Sequence, residues 1–363
     1  MKKILMTIFA LFVMTATLVA CAPAVETVDI GIVLPTRDEP RWIQDETRFK
    51  DALMETPYSV EILFSQGSTA TELSNVETLL AKGIKVLIIT AQDGDAAAAA
   101  VEKAQAEGVT VIAYDRLITN TQAVDYYVTF DSIAVGAAQG QFLVDNATGS
   151  GNPLYLYAGA ASDNNAFLFF EGAWNVLQPR IADGTFVIKN STEAVGLQAK
   201  PTLTRSEMST ILGQITTNWD FNTAKNLAES HLTAATEVDK GDVFILAPND
   251  GTARAIADAF AADTAVTSFL ITGQDAEKAS VQYIIDGKQS MTVFKDVRTL
   301  VQDAIAMAVT ILEGNVPQTT GSYNNGVKDV PAKQTDVVVV TQDNVRAALI
   351  TSGYYLEADF TFR

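Results

Sequence analysis

The chain has 363 residues and is acidic, with 25 lysines and arginines against 43 aspartates and glutamates and a formal charge of −18. That balance repels nucleic acid and anionic lipid headgroups, and it disfavours an anionic ligand unless a local pocket overrides it. One histidine, His231, and one cysteine, Cys21, leave no material for a His/Cys zinc centre or a disulfide framework.

Lys2 and Lys3 open the chain, and residues 4–18 are almost wholly apolar or small, with no acid. Leu18-Val19-Ala20-Cys21 follows. A basic start, a short apolar stretch and a small-residue cleavage site make a secretory signal. The stretch is too short for a comfortable membrane span. Leu-Val-Ala-Cys resembles the lipobox of bacterial lipoproteins, which implies that Cys21 becomes the lipidated first residue of the mature chain. Residues 1–20 are therefore set aside as a lipoprotein signal peptide. Their two lysines leave with them, so the mature balance is 23 against 43, or −20. The remaining length suits two domains of ordinary size, and no second long apolar run is expected to cross a membrane.

Residues 28–34 read as a strand, 40–54 as a helix and 60–64 as the next strand. Leu73, Val76, Leu79 and Leu80 mark the apolar face of a helix, and Gly83 sits where a C-cap glycine belongs. Residues 85–90 read as a buried strand. The alanine-rich run 96–100 opens a helix that Gly108 ends, and 109–113 and 126–130 are two further strands. The rhythm restarts after Asp131, with strands at 154–158, 186–189, 243–247, 269–272 and 291–294 and helices at 222–232, 252–261 and 276–286 among them. Alternation at this spacing predicts parallel sheets with helices on both faces. The strands are too many for one comfortable sheet, so two similar α/β lobes are expected. Ligands of open α/β sheets bind beyond the carboxyl ends of the strands.

Those ends are polar. The first strand leads to a loop with Arg37, Arg41 and Trp42, and the strand at 109–113 runs into Tyr114-Asp115-Arg116. The others lead to Ser162-Asp163-Asn164-Asn165, Pro248-Asn249-Asp250-Gly251, Gly273-Gln274-Asp275 and Lys295-Asp296. A single such end is an ordinary turn or helix cap, and Asp250 and Asp275 each fit a cap. Together the six suit sugar recognition. A pyranose offers adjacent hydroxyls that both donate and accept. Arginine supplies a fork of donors, carboxylates accept, and asparagine does both. The apolar faces of the ring want flat aromatic surfaces. Trp42 and Trp219 lie in polar surroundings and fit that role, although core packing is the usual fate of a lone tryptophan.

The stretches Lys82-Gly83-Ile84-Lys85-Val86-Leu87-Ile88 and Ala113-Tyr114-Asp115-Arg116-Leu117-Ile118 resemble periplasmic sugar-binding proteins of ABC transporters, of the xylose-binding and multiple-sugar-binding type. So do Asp163-Asn164-Asn165-Ala166, Gly273-Gln274-Asp275-Ala276 and Asn325-Gly326-Val327-Lys328-Asp329-Val330-Pro331, in family order. The resemblance implies two Rossmann-like lobes joined by a three-segment hinge, with a monosaccharide enclosed between them. It implies Arg41 and Arg116 as donors, Asp115 as an acceptor beside Arg116, and Asp163, Asn165, Asn249, Asp275 and Lys295 as further contacts. Trp42 and Trp219 are implied as the stacking aromatics. Ribose-binding relatives tend to carry Arg in place of the Asp163–Asn165 segment and Gln in place of Lys295, which sets this chain nearer the binders of aldopyranoses such as xylose, glucose, galactose or arabinose. Residues 190–219 depart from the family pattern, which leaves Trp219 the loosest of these assignments.

The expected domains are an N-terminal lobe of residues 28–131 and 296–322 and a C-terminal lobe of 132–295 and 323–363. The expected function is that of a monomeric, extracytoplasmic substrate-binding lipoprotein, tethered only through Cys21 and serving a separate permease and ATPase, with no cofactor, metal or nucleic acid. A sensor that presents its closed form to a chemoreceptor or kinase shares that reading of the site. A glycoside-processing enzyme remains open because Asp115, Asp163 and Asp275 are able to converge, but carboxylates beside Arg116 and Lys295 are expected to stay ionised and to be poor general acids. No phosphate-cradling glycine loop is present. His231 is expected as a solvated helix residue, and the sequons at Asn146 and Asn190 as coincidence.

Overall fold

A computed structural model describes residues 27–54 and 56–362. The expected signal peptide and Cys21 lie outside the described residues. Among those residues no helix is long and apolar enough to cross a membrane.

The first lobe is built on β1 (Ile30–Leu34), β2 (Val60–Phe64), β3 (Val86–Ile89), β4 (Thr110–Tyr114) and β5 (Tyr126–Phe130). β1 and β3 are buried along their whole length, as the near-continuous Ile, Val and Leu composition of a doubly covered parallel strand requires. The second lobe holds β6 (Asn152–Leu156), β7 (Phe186–Ile188), β8 (Gly241–Leu246) and β9 (Val266–Ile271). Four strands complete the chain, namely β10 (Met291–Phe294), β11 (Gly321–Asn324), β12 (Asp329–Thr335) and β13 (Val338–Thr341).

The seven-stranded sheet runs β11-β12-β5-β4-β3-β1-β2 and the four-stranded sheet β7-β6-β8-β9, while β10 and β13 form an antiparallel pair. A parallel bridge from Gln274 to Val293 ties β10 to the second sheet. Two apolar clusters cover the faces of the first sheet, one centred on Leu79, Leu87 and Val111 and the other on Ile32, Ile88 and Leu300. Two more cover the second sheet, around Phe170 and Leu212 and around Ile245 and Ile256.

The chain passes between lobes three times: after β5 at Asp131, after β10 at Lys295 and Asp296, and after β12 at Asp336 and Val337. The last crossing corrects the expected boundary. β12 pairs in parallel with β5, from Ala332 opposite Tyr127 to Thr335 opposite Phe130. Residues 323–335 therefore belong to the first lobe. Without them β5 would be an open edge, which protein sheets avoid, and Val330 and Ala332 would lose their place in the core.

The helices Ser132–Asn146 and Asn164–Ala182 cross at close range. A Cβ on Gly136 would sit 1.8 Å from the Phe169 carbonyl oxygen, and one on Gly172 2.1 Å from that of Ile133. Backbone approach of this kind leaves room for glycine alone. The unpatterned segment 190–219 holds two capped helices, Thr192–Leu197 and Arg205–Ile215. His231 is half-buried rather than solvated. Its ring packs 5.5 Å from Tyr157, its Nδ1 lies 3.2 Å from both Asn190 Nδ2 and the Tyr157 hydroxyl, and burial lowers its pKa.

Candidate functional site

The carboxyl ends of the strands of both lobes face one another across a small cavity of about 30 Å³. Arg41, Trp42, Asp115, Arg116, Asp163, Asn165, Trp219, Asn249, Asp275 and Lys295 all line it, together with Glu39, Phe169 and Gln274. The side chains of the two lobes nearly fill the space between them, leaving room for little more than a water molecule or two.

Local backbone geometry aims these side chains. Asp115 has φ +60° and Asp275 φ +98°, in the region that side-chain-bearing residues rarely occupy. At Asp115 this closes a three-residue turn, with the Arg116 N–H donating to the Tyr114 carbonyl at 2.7 Å. The turn sends consecutive side chains to different partners. Asp163 is the N-cap of the helix Asn164–Ala182, its Oδ1 accepting from the Asn165 N–H at 2.9 Å, while its Oδ2 faces Arg116. Cap and site are the same residue. Asn249 likewise caps the helix Asp250–Ala262 through Thr252. Asp275 makes no cap. Trp219, at φ +60°, lays its indole against Gly159, where a Cβ would meet the ring at 2.0 Å.

A buried ion network closes the cavity. Arg41 Nε lies 2.6 Å from Asp45 Oδ2, its Nη2 2.9 Å from Asp115 Oδ2 and its Nη1 3.3 Å from Asp275 Oδ1. Lys295 Nζ is 2.8 Å from Asp275 and 4.0 Å from Asp115. Arg116 Nε is 3.0 Å from Asp163 Oδ2, and its Nη2 is 3.4 Å from Glu39. The pairs Arg41–Asp275, Arg116–Asp163 and Lys295–Asp115 each join one lobe to the other. Asn165 Nδ2 adds a fourth link by donating to the Asp115 carbonyl at 2.8 Å. Asp115 and Arg116, neighbours in sequence, each take ion-pair partners from distant segments of the chain. Arg37 stays outside the cavity, bound to Glu46.

Aromatic rings line the gaps. The Trp42 ring lies 5.1 Å from the Arg41 guanidinium carbon and 5.0 Å from that of Arg116, within cation–π range of both. Phe169 meets Trp219 edge to face at 6.3 Å. Trp219 Nε1 and Gln274 Oε1 are buried with no hydrogen-bond partner among the described residues. Buried polar atoms of this kind are costly unless a ligand or a water molecule satisfies them.

Burial pushes the Glu39, Asp45 and Asp163 carboxyls up from their ordinary values, against the guanidinium groups that pull them down. Asp163 is thus raised in spite of its pairing with Arg116. Asp115 goes the other way. Burial raises it, but Arg41, Lys295 and Arg116 together hold it below the usual carboxylate range. Arg41 remains charged because Asp45, Asp115 and Asp275 outweigh its desolvation.

Fold and cavity define a two-lobed binder that encloses a small polar molecule. Residues 30–315 match the periplasmic binding protein domain, and the chain belongs to that family. It is 35% identical to the multiple sugar-binding periplasmic receptor ChvE of Rhizobium radiobacter, over 98% of each chain. It is 30% identical to the D-xylose-binding periplasmic protein of Escherichia coli, over 99% of each. A solved carbohydrate transporter solute-binding protein from Chloroflexus aurantiacus, in complex with D-glucose, is 75% identical, with a TM-score of 0.91 over 92% of this chain and 98% of that one.

Proposed function

We propose that this chain is the sugar-binding component of an ABC importer, that it holds a neutral aldopyranose, with D-glucose the first candidate, and that it releases the sugar unchanged. The observation that carries this reading is the convergence, from both lobes, of three cations, several carboxylates and two indoles on one enclosed cavity. A pyranose hydroxyl donates to a carboxylate while accepting from a guanidinium or ammonium group, and both bonds gain strength in a desolvated site. The Oδ1 of Asn249 is committed to its cap, so its Nδ2 is the group left to donate. Trp42 and Trp219 offer ring faces to the apolar C–H surface. The glucose complex of the Chloroflexus relative supports the choice of sugar.

The test is calorimetric titration of the mature protein with D-glucose, D-xylose, D-galactose and L-arabinose, followed by chromatography of the recovered sugar. Saturable binding and an unaltered sugar are expected. A converted sugar would favour an enzyme, and the absence of any heat would remove the sugar reading. The anchor is a separate element of the proposal. The mature protein stays monomeric outside the cytoplasmic membrane, held by lipid on Cys21, and hands sugar to a permease driven by its own ATPase. Because acyl anchoring scales with buried methylenes, Cys21→Ser should move the protein from the membrane to the soluble fraction with sugar affinity unchanged. Retention of the variant on the membrane would contradict the anchor.

A further inference from the structure

The proposed site needs Arg41 at one orientation, and the cavity residues alone do not set it. Arg41 carries a flexible aliphatic stem ending in a planar group with five N–H donors. Its Nη1 and Nη2 reach Asp275 and Asp115, one on each lobe. Behind the guanidinium, one turn along the helix Pro40–Leu53, lies Asp45, fully buried and not part of the cavity lining. It grips Arg41 at two points, Oδ2 to Nε at 2.6 Å and Oδ1 to Nη2 at 3.3 Å. The carboxylate is fixed in turn from its far side, where the Tyr114 hydroxyl donates to Oδ1. Tyr114 is itself fully buried and packed 5.0 Å from the Phe49 ring.

We infer that Asp45 is a positioning residue for sugar binding, which holds the outer edge of the Arg41 guanidinium toward the ligand through the chain Phe49–Tyr114–Asp45–Arg41. The inference rests on the proposed sugar site. Two physical points favour positioning over mere stability. A buried ion pair is often no more stabilising than apolar side chains of the same volume, so stability alone gives little reason for a carboxylate at this depth. And a two-point grip on Nε and Nη2 fixes the plane of the fork and turns its outer edge toward Asp115, Asp275 and the cavity. A site whose first contacts are held by a packed supporting layer loses affinity when that layer loosens.

The test is a double-mutant cycle by calorimetric titration with D-glucose, with dissociation rates from stopped-flow fluorescence and melting temperatures of the ligand-free proteins. Arg41→Met, Asp45→Asn, the double variant and Tyr114→Phe are compared with the wild type. Asp45→Asn should weaken binding by about 10- to 100-fold, mainly through faster dissociation. In the Arg41→Met background the same change should cost no further affinity, because contacting residues of one network are non-additive. Tyr114→Phe should weaken binding in the same direction by a smaller factor, and it decides the matter if Asp45→Asn fails to fold. Wild-type affinity and dissociation in Asp45→Asn would overturn the inference, as would a loss that adds in full to that of Arg41→Met. If the wild type binds no aldose, the sugar reading falls first and the role of Asp45 falls with it. If Arg41→Met loses affinity while Asp45→Asn and Tyr114→Phe do not, the inference alone falls.

Discussion

Arg116 lines the cavity and makes two ion-pair contacts that differ in kind. Its pairing with Asp163 bridges the lobes, whereas its longer contact with Glu39 stays within the first lobe. Arg116→Ala should therefore cost about 2–5 kcal/mol of sugar affinity, while ligand-free stability falls by less, because Asp163 is free to hydrate once the lobes part. Titration alongside ligand-free melting checks this, and near-equal affinities with a large drop in melting temperature would make Arg116 scaffold. Glu72 gives a second residue-scale expectation. It is 1% exposed, accepts from the Gln92 N–H at 2.8 Å, and burial raises its pKa from 4.5 to about 7. Its folded-state pKa lies above the unfolded one, so the stability that this group contributes is full below pH 4.5, declines as pH rises from there through 7, and is flat above. The loss is about 3 kcal/mol, at 1.36 kcal/mol per unit. Glu72→Gln keeps an acceptor for Gln92 and should gain stability over the wild type at pH 8 but not at pH 5, as read by urea unfolding. Equal gains at both would show that its ionisation is not strained. Nine of the ten expected cavity residues were legible in the sequence because they lie just beyond strand ends, where polarity is conspicuous; Trp219 follows the helix Arg205–Ile215 and was legible only through its polar surroundings and the family resemblance. Glu39, Phe169 and Gln274 were not. Glu39 reads as a helix-entry acid before Pro40, Phe169 as one more core residue in Phe167-Leu168-Phe169-Phe170, and Gln274 as a spacer between Gly273 and Asp275. Asp45 is the extreme case, since an acid on an amphipathic helix reads as solvated face.

Elements of the first lobe follow their sequence patterns closely, because each strand and its helix are adjacent in the chain and their periodicities are undisturbed. β2 and β5 match the expected 60–64 and 126–130. The third crossing escaped because the pairing of β12 with β5 joins residues some two hundred positions apart, and nothing in a local pattern records it. The helix pair Ser132–Asn146 and Asn164–Ala182 shows how such long-range packing reaches the site. Gly136 presses on the backbone of Phe169, and Phe169 lines the cavity. Gly136→Ala should lower stability by about 2–4 kcal/mol through overpacking and weaken sugar binding as the helix is displaced. Gly213, inside the helix Arg205–Ile215, has nothing within 4 Å of a built Cβ. Gly213→Ala should instead stabilise by about 0.5–1 kcal/mol from helix propensity, with affinity unchanged. Melting temperatures and titrations of both variants make the comparison, and a harmless Gly136→Ala would mean that the helices have room to separate.

At the scale of the whole molecule, two electrostatic fields act on a ligand, and they are separable. The surface field comes from a formal charge of −18 on the full chain. The cavity has its own imbalance: Arg41, Arg116 and Lys295 face Glu39, Asp115, Asp163 and Asp275, and Asp45 stands behind Arg41. Each cation already lies within 3.0 Å of a carboxylate. A neutral pyranose suits this excess of acceptors because its hydroxyls donate. A uronic acid of the same ring brings a further negative charge for which no cation is free, into a space that closes on it. D-Glucuronate should therefore bind at least about 100-fold more weakly than D-glucose, a difference of about 3 kcal/mol. Salt distinguishes the two fields. Surface repulsion acts through water and is largely screened beyond about 8 Å at 0.15 M ionic strength, whereas enclosed charges are screened far less. Raising salt should speed glucuronate association and leave most of the affinity gap in place. Competition titrations of D-glucuronate against D-glucose at low and high salt provide the measurement. Comparable affinities would show that the carboxylates take up protons freely on closure, and a gap that vanished in salt would move the discrimination from the cavity to the surface.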